Sequence, residues 1–437
     1  METNTTAGKK LLILAGVAQH VKLVRAAREL GVYTIVTDYL EPDASPAKKE
    51  ADEYWMLSYG DTDKLEALCR EKRVDGVLTC YHESSQIPYY RLCRRLGLPC
   101  YADLNQFETL TNKRLFKELC SAHGVGVIPE YSEEEALSGK LRYPVMVKPA
   151  DRCGSHGLAV CGSPEELRPA IEAAKRESLN GDVIIEEYIA GKNSFQVTYL
   201  FENGKAHLIR TADGYKGTVE QELDRVALCS ISPSVYTAEY LSTANDAFVE
   251  MLRSIGAENG PVMAQGFYDD GVFRFYDPGR RFPGTDFEET YKEIFGVDLL
   301  KMMVMFALSG KMPSVPIDDE SVFLRGNQVV VLFPTLKTGT IGRIAGLDAL
   351  EEDPRISRVQ QKHTEGTLLK QPNTVSQRIC EVDFTAHSIG EAKELIREIQ
   401  GTLAVSDSNG EDMIDSPFDA DRIVDPAAIS RELVSET

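Results

Sequence analysis

Over the first hundred residues, short apolar runs alternate with stretches in which apolar side chains recur three and four apart. Residues 10–15 form one apolar run, residues 21–30 carry the helical spacing, and residues 33–37 form a second run that ends at Asp38. This reads as a strand, an amphipathic helix and a strand. A strand, helix and strand in that order close by a right-handed crossover into a parallel sheet. The pattern continues with a helix over 61–71, a strand over 76–79, a helix over 85–96 and a short strand over 98–101.

From residue 105 the pattern changes. A helix over 113–123 precedes a strand over 145–148, the loop 149–157, a strand over 158–160, a helix over 164–178 and an apolar strand over 183–185. Longer strands follow, 195–201 and 207–211, separated by Asn203-Gly204, whose two residues tolerate the positive φ of a tight hairpin turn. Residues 210–217, with Asp213, Tyr215 and Lys216, read as a solvated loop after the second of these strands, binding of an acceptor substrate being the alternative. A helix over 237–255 leads to a second hairpin, 262–268 with 273–276, turning at Asp269-Asp270-Gly271. A helix over 299–309 and a Pro-containing linker over 312–317 precede a last α/β unit, 322–407. Residues 408–437 are polar and acidic and read as a loosely attached tail.

A chain of 437 residues with 43% apolar side chains supports two to four packed units. Its formal net charge of −20 argues against sequence-independent binding to nucleic acid or to anionic membranes, both of which need positive fields. The nine cysteines form an odd set without a Cys-x-x-Cys pair, so neither a disulfide framework nor a thiolate zinc site is expected. Residues 1–10 lack an apolar signal core, and a cytoplasmic protein is the expectation. The first strand-to-helix turn, Gly16-Val17-Ala18-Gln19-His20, lacks the second and third glycines of a dinucleotide site, and no P-loop occurs anywhere.

Three segments carry candidate chemistry. Lys148 ends the apolar run Pro-Val-Met-Val-Lys-Pro and precedes a loop holding Gly154, Ser155, His156 and Gly157. An ammonium at a strand end beside backbone N–H groups is a phosphate-binding device, or else a plain turn between two strands. The strand ending Ile-Ile-Glu186-Glu187-Tyr188-Ile189 offers the aliphatic walls and backbone donor and acceptor that adenine requires, or is an ordinary buried strand. Gln265 and Asp277, on the two arms of the second hairpin, are hard-oxygen candidates for Mg²⁺ (or Mn²⁺), followed at once by Arg280 and Arg281. His20, Glu83 and Ser84 stand at strand ends of the first sheet, where ligands of parallel sheets bind.

Taken in order, Asn112-Lys113, the Lys148 strand, the Gly-Ser-His-Gly loop, the Glu186–Ile189 hinge and Asp277-Pro-Gly-Arg-Arg resemble the ATP-grasp superfamily. Lys337-Thr-Gly-Thr-Ile and Ser376-Gln-Arg-Ile resemble the C-terminal unit of its biotin carboxylase/carbamoyl phosphate synthase-like and L-amino acid ligase-like branches. The resemblance implies a mixed α/β and α+β chain. Residues 1–104 would be a parallel-sheet domain preceding the ATP-grasp fold. Residues 105–311 would be the two-lobed ATP-grasp domain, its small lobe at about 120–190, with a C-terminal α/β domain at 318–407 and the tail at 408–437. It implies that Lys113 and Lys148 contact ATP phosphates, that 154–157 close over them, and that Glu186, Glu187, Tyr188 and Ile189 line the adenine and ribose pocket. It also implies an ATP-dependent carboxylate–amine ligase acting through an acyl phosphate on a small amino or carboxylic acid. The alternatives are an ATP-binding protein with little turnover and a bicarbonate-using enzyme. Small carboxylic acids and amines are the expected partners, with no nucleic acid or membrane, and the expected assembly is a homodimer. The family's metal ligands are an acid or glutamine on the first strand and Glu-x-Asn on the second, read here as Gln265, Phe275 and Asp277. On that reading Phe275 removes one ligand, Gly279 is an extra residue, and Arg281 is preferred over Arg280 as the catalytic arginine.

Overall fold

A computed structural model describes residues 6–150, 157–189, 191–217 and 226–425. The first sheet is four-stranded and wholly parallel. Lys10–Leu14 lies between Tyr33–Asp38 and Gly76–Leu78, and Glu53–Met56 forms the outer edge beside Tyr33–Asp38. Residues 98–101, expected as a strand, form none. Their backbone is spent elsewhere: Tyr101 N–H donates to the Tyr89 hydroxyl and Tyr101 C=O accepts from Arg280. The sheet's two edges are Glu53–Met56 and Gly76–Leu78.

At the first strand-to-helix turn, Gly16 N–H donates to Asp38 Oδ2 at 2.7 Å, and Lys48 Nζ pairs with Asp38 Oδ1 at 2.7 Å. The acid that would face a dinucleotide ribose is thus consumed within the protein. A Cβ on Gly16 would come within 1.8 Å of Ser45 Oγ, which fixes glycine there. The apolar helix Leu299–Ser309 contributes Leu299, Met303 and Ala307 to the core of this first sheet.

A second sheet, antiparallel, runs in the order Glu130–Tyr131, Val183–Glu187, Val145–Pro149, Ala159–Cys161. Helix Pro164–Glu177 covers it through Leu167, Ile171 and Ala174. The third sheet has eight strands. Its order is Val272–Gly279, Gly260–Asp269, Ser194–Glu202, Lys205–Lys216, Ala227–Ser232, Gln328–Leu332, Cys380–Ala386 and Ile356–Gln361. Hydrogen bonding passes from Ala227–Ser232 to Gln328–Leu332, so the linker at 312–317 interrupts the chain pattern without interrupting the sheet. Both expected hairpin turns form, with positive φ at Asn203, Gly204, Asp270 and Gly271.

Two expectations are corrected here. Residues 210–217 are not a solvated loop: they complete the strand Lys205–Lys216, and Asp213 and Tyr215 are buried in it. The segment after Ser408 is not loose in its described part, because Met413, Phe418 and Ile423 are buried in the core of the C-terminal unit. Alternating polar residues hid those three anchors in the sequence. Among the described residues no helix is long and apolar enough to cross a membrane.

Candidate active site

The second and third sheets face each other across a cavity of about 690 Å³. Lys113, Lys148, Glu186, Glu187, Tyr188, Ile189, Gln265, Asp277 and Arg281, all read from the sequence as site residues, line it together. Its apolar walls include Ile128, Met146, Leu158 and Met263.

One wall is built on a buried charge triad. Asn112 caps the helix Lys113–Ala122, its Oδ1 accepting from the N–H groups of Arg114 and Leu115. Lys113 and Lys117, four residues apart, fall on one face of that helix. Lys117 Nζ bonds Glu186 Oε2 at 2.5 Å, and the other Glu186 oxygen takes Lys148 Nζ. All three side chains are nearly inaccessible. Burial alone would push the Glu186 carboxyl up, but the two ammonium groups outweigh it and hold it below the usual carboxylate range. Lys148 moves down, first by burial and then by the charges of Lys117 and Lys113, against the pull of Glu186. Glu186 is held ionised because it faces two cations. Lys117 also meets Glu130 at 3.3 Å, which Arg114 shares at 3.5 Å, so three cations face two carboxylates and one positive charge is left over beside the cavity, the condition under which an anionic ligand is stabilised. Sequence reading missed Lys117, although its spacing from Lys113 was a usable signal.

Glu186 is thus a positioning residue for Lys148, and the hinge beyond it turns the backbone toward the cavity. Glu187 N–H donates to Pro129 C=O at 3.0 Å and Tyr188 N–H to Pro144 C=O at 3.3 Å. Gly154, Ser155 and His156 lie outside the described residues. Gly157 has φ +69° and a Cβ there would meet Pro149 Cγ at 2.9 Å, so glycine is required.

The opposite wall is the hairpin Gly260–Asp269 with Val272–Gly279, where the pairing corrects the metal-site reading. Gln265 pairs with Asp277, whereas Gly266 pairs with Phe275, so a bulge inserts Tyr276 between them. On a regular strand residues 275 and 277 would share a face; the extra residue puts them on opposite faces. Phe275 is fully buried among Phe195, Tyr240 and Phe248. Tyr276 and Asp277 line the cavity, the Tyr276 ring lying 5.6 Å from Lys148 Nζ. Gln265, Asp277 and Arg281 line the cavity, and strand alternation puts Gly279 on the same face. Asp277 takes the place read for Phe275, Gly279 is no insertion, and the vacancy in hard ligands falls at Gly279. Among the described residues no group of three or more His, Cys, Asp or Glu side chains could hold a metal ion. Gln265 and Asp277 supply two hard oxygens, which fits one ion shared with phosphates and leaves a second without chain ligands.

The same alternation separates the two arginines. Arg280 is fully buried and not a cavity residue, contrary to its candidacy. Its guanidinium donates to Gln106 Oε1 at 3.1 Å and to the carbonyls of Pro261 at 2.6 Å, Tyr101 at 3.0 Å and Asn259. Arg281 turns into the cavity and pairs at 3.4 Å with Glu83, whose carboxyl is pushed up by burial and by Asp277 against the pull of Arg281. Lys113 Nζ stands 3.5 Å from Asp277 Oδ1. His20 instead bridges strand ends, between Ala15 C=O at 2.7 Å and Cys80 N–H at 3.3 Å, and burial lowers its pKa to about 4.

Residues 104–212 match the family described as the D-ala D-ala ligase C-terminus. The chain is 27% identical over 329 residues to a putative urea carboxylase of Emericella nidulans, a match covering 69% of this chain but 26% of that protein. The solved L-amino acid ligase of Bacillus licheniformis superposes with a TM-score of 0.74 at 20% identity, over 92% of this chain and 100% of that one. The biotin carboxylase domain dimer of Hydrogenobacter thermophilus 2-oxoglutarate carboxylase, solved with MgADP and bicarbonate, superposes with a TM-score of 0.71 at 20% identity, over 93% and 91%. The chain has the ATP-grasp fold, and the superfamily resemblance carried by its motifs holds at that level.

Proposed function

We propose that this chain is an ATP-dependent carboxylate–amine ligase working through an acyl phosphate. The observation that carries the reading is the cluster of Lys148, Lys117 and Arg114 around only two carboxylates, Glu186 and Glu130, with Lys148 and Glu186 facing Asp277, Gln265 and Arg281 across one cavity. Lys148 and Lys113 would bind the phosphates of ATP. The adenine would lie between Ile128, Met146 and Leu158, meeting the Glu187 carbonyl and the Ile189 N–H; the Glu187 N–H is already spent on Pro129. Mg²⁺ held by Gln265 and Asp277 would neutralise phosphate charge.

In this reading a substrate carboxylate oxygen attacks the γ-phosphorus and ADP departs. The amine nitrogen then attacks the acyl carbon, phosphate leaves and the nitrogen loses a proton. Arg281 is aimed at the transferred group, and water is kept out by closure of the cavity. The domain division given above, a cytoplasmic location and a homodimeric state belong to the same reading. The homodimer rests on the relative solved as a dimer.

The test is a phosphate-release screen of pooled carboxylic acids and amines, with bicarbonate as one pool and Lys148→Ala as control. Release that needs both an acid and an amine, and that is lost in Lys148→Ala, is expected. A variant that turns over like the parent would show the site to be misassigned. Gly279 favours a second reading, ATP binding with little turnover, which predicts calorimetric ATP binding and no release from any pool.

A further inference from the structure

The cavity has a second end that carries an arginine, remote in sequence from the lysines assigned to phosphate. There the ends of three neighbouring strands of the eight-stranded sheet meet and bring Ala227, Phe333 and Arg378 together. Arg378 packs its guanidinium 3.8 Å from the Phe333 ring centroid and donates to Ala227 C=O at 3.1 Å. Its Nε is buried and has no hydrogen-bond partner among the described residues. A buried guanidinium donor left unspent costs free energy that a ligand can recover.

The nearest anion does not satisfy it. Glu381 stands 3.9 Å from Arg378 Nη1 and is also faced by Lys362 at 3.2 Å and Arg358 at 3.5 Å. Arg358 has further partners in Asp383 at 2.6 Å and in Asp286, whereas Lys362 and Arg378 share the one Glu381 carboxylate. Burial lowers the Arg378 pKa to about 10, with Glu381 opposing, so the group remains charged at neutral pH. Val375, exposed beside it, makes the rim apolar. A planar, desolvated fork with a stacked ring and an apolar rim suits a carboxylate on a small organic body.

We infer that Arg378 is a specificity-determining residue that holds a carboxylate of the amine co-substrate, which makes that co-substrate an amino acid and not a simple amine. This rests on the ligase reading above. The carboxylate held here is not the one phosphorylated, which must meet ATP near Arg281 and Asp277.

The experiment is calorimetric titration of the full chain, saturated with ADP and Mg²⁺, with the twenty L-amino acids and with their matched amides. At least one amino acid should bind on the order of tenfold more tightly than its amide, as expected when a charge-assisted fork is lost. In Arg378→Met the two should bind within about threefold of each other, with Arg378→Lys between, since lysine keeps the charge and loses the fork. ADP affinity should be unchanged in both variants. If Arg378→Met fails to fold, Arg378→Lys decides: an undiminished preference for the acid overturns the assignment. Equal binding of acid and amide by the parent, no binding by any amino acid, or equal loss of both in the variants also overturns it while leaving the ligase reading intact. Failure of ADP itself to bind overturns both.

Discussion

The two walls of the cavity handle charge in opposite ways. On the lysine wall, Glu186 sits between Lys117 and Lys148 with all three side chains withdrawn from solvent. On the hairpin wall the charges are paired loosely, Lys113 with Asp277 at 3.5 Å and Arg281 with Glu83 at 3.4 Å, with the Asp277 side chain one-third exposed. The first arrangement is set before any ligand arrives and costs desolvation that a ligand phosphate can offset. The second keeps its groups adjustable. A rigid electrostatic socket thus faces a set of side chains free to follow a reacting centre.

Removing the socket's central anion is the most severe way to break this contrast. Glu186→Ala leaves buried Lys148 without its carboxylate and Lys117 with Glu130 alone, and is expected to cost about 3–5 kcal/mol of stability, with loss of nucleotide binding. Thermal unfolding and calorimetry check both. Next, the adjacent arginines should separate cleanly. Arg280→Ala strands the carbonyls of Pro261, Tyr101 and Asn259 and should cost about 3 kcal/mol. Arg281→Ala should change stability by only about 0–1 kcal/mol while turnover falls by about 10²-fold. Denaturant melts and phosphate release on the two variants measure the split.

A milder change sharpens the comparison by strengthening the hairpin wall. Gly279 has no positive φ, and a Cβ there meets only Arg281 and Met263 side chains at 3.3 Å, so Gly279→Asn should fold. It restores an amide oxygen to the cavity-facing series and should lower the Mg²⁺ concentration needed for half-maximal ATP turnover by about threefold. An unchanged Mg²⁺ dependence would count against the corrected series.

The smallest effect lies in pH. Glu186 is held below its ordinary pKa, so its contribution to stability is present above the unfolded value of about 4.3 and is lost as pH falls through the lower folded value. Glu83 is raised, so its contribution is present below about 4.3 and is lost as pH rises through its folded value. The destabilisation caused by Glu186→Gln should therefore grow with rising pH, and that caused by Glu83→Gln should shrink. Denaturant melts across about pH 2 to 7 test the opposite slopes, the Glu186 change falling below about 4.3 and the Glu83 change above it.

The elements that were legible were those in which local pattern and tertiary fate agree. Asn203-Gly204 and Asp270-Gly271 specify their turns by φ alone, and the parallel first sheet follows from strand, helix and strand order. The lysine wall was half legible: Lys148 and Glu186 announce themselves at strand ends, while Lys117 looks like any surface lysine until helix periodicity places it under Lys113. The hairpin wall was misread because face assignment on a strand depends on an unbroken two-residue repeat, and nothing in Arg274-Phe275-Tyr276-Asp277 marks the inserted residue. Arg280 and Arg281 are chemically identical in a sequence and acquire different work only from the side of the strand on which each falls. Residues 98–101 have strand composition but lose to side chains that claim their backbone groups.

The bulge beside Gln265 acts as a change of parity along its strand. Before it, odd-numbered residues of Val272–Gly279 enter the aromatic core; after it, odd-numbered residues enter the cavity. The faces downstream therefore depend on the bulge itself. Deleting Tyr276 would make Phe275 and Asp277 neighbours on a regular ladder, still on opposite faces, and keep Asp277 and Arg281 in the cavity. Ironing the bulge flat without a deletion would instead send Asp277 and Arg281 inward and deliver Arg280 to the cavity.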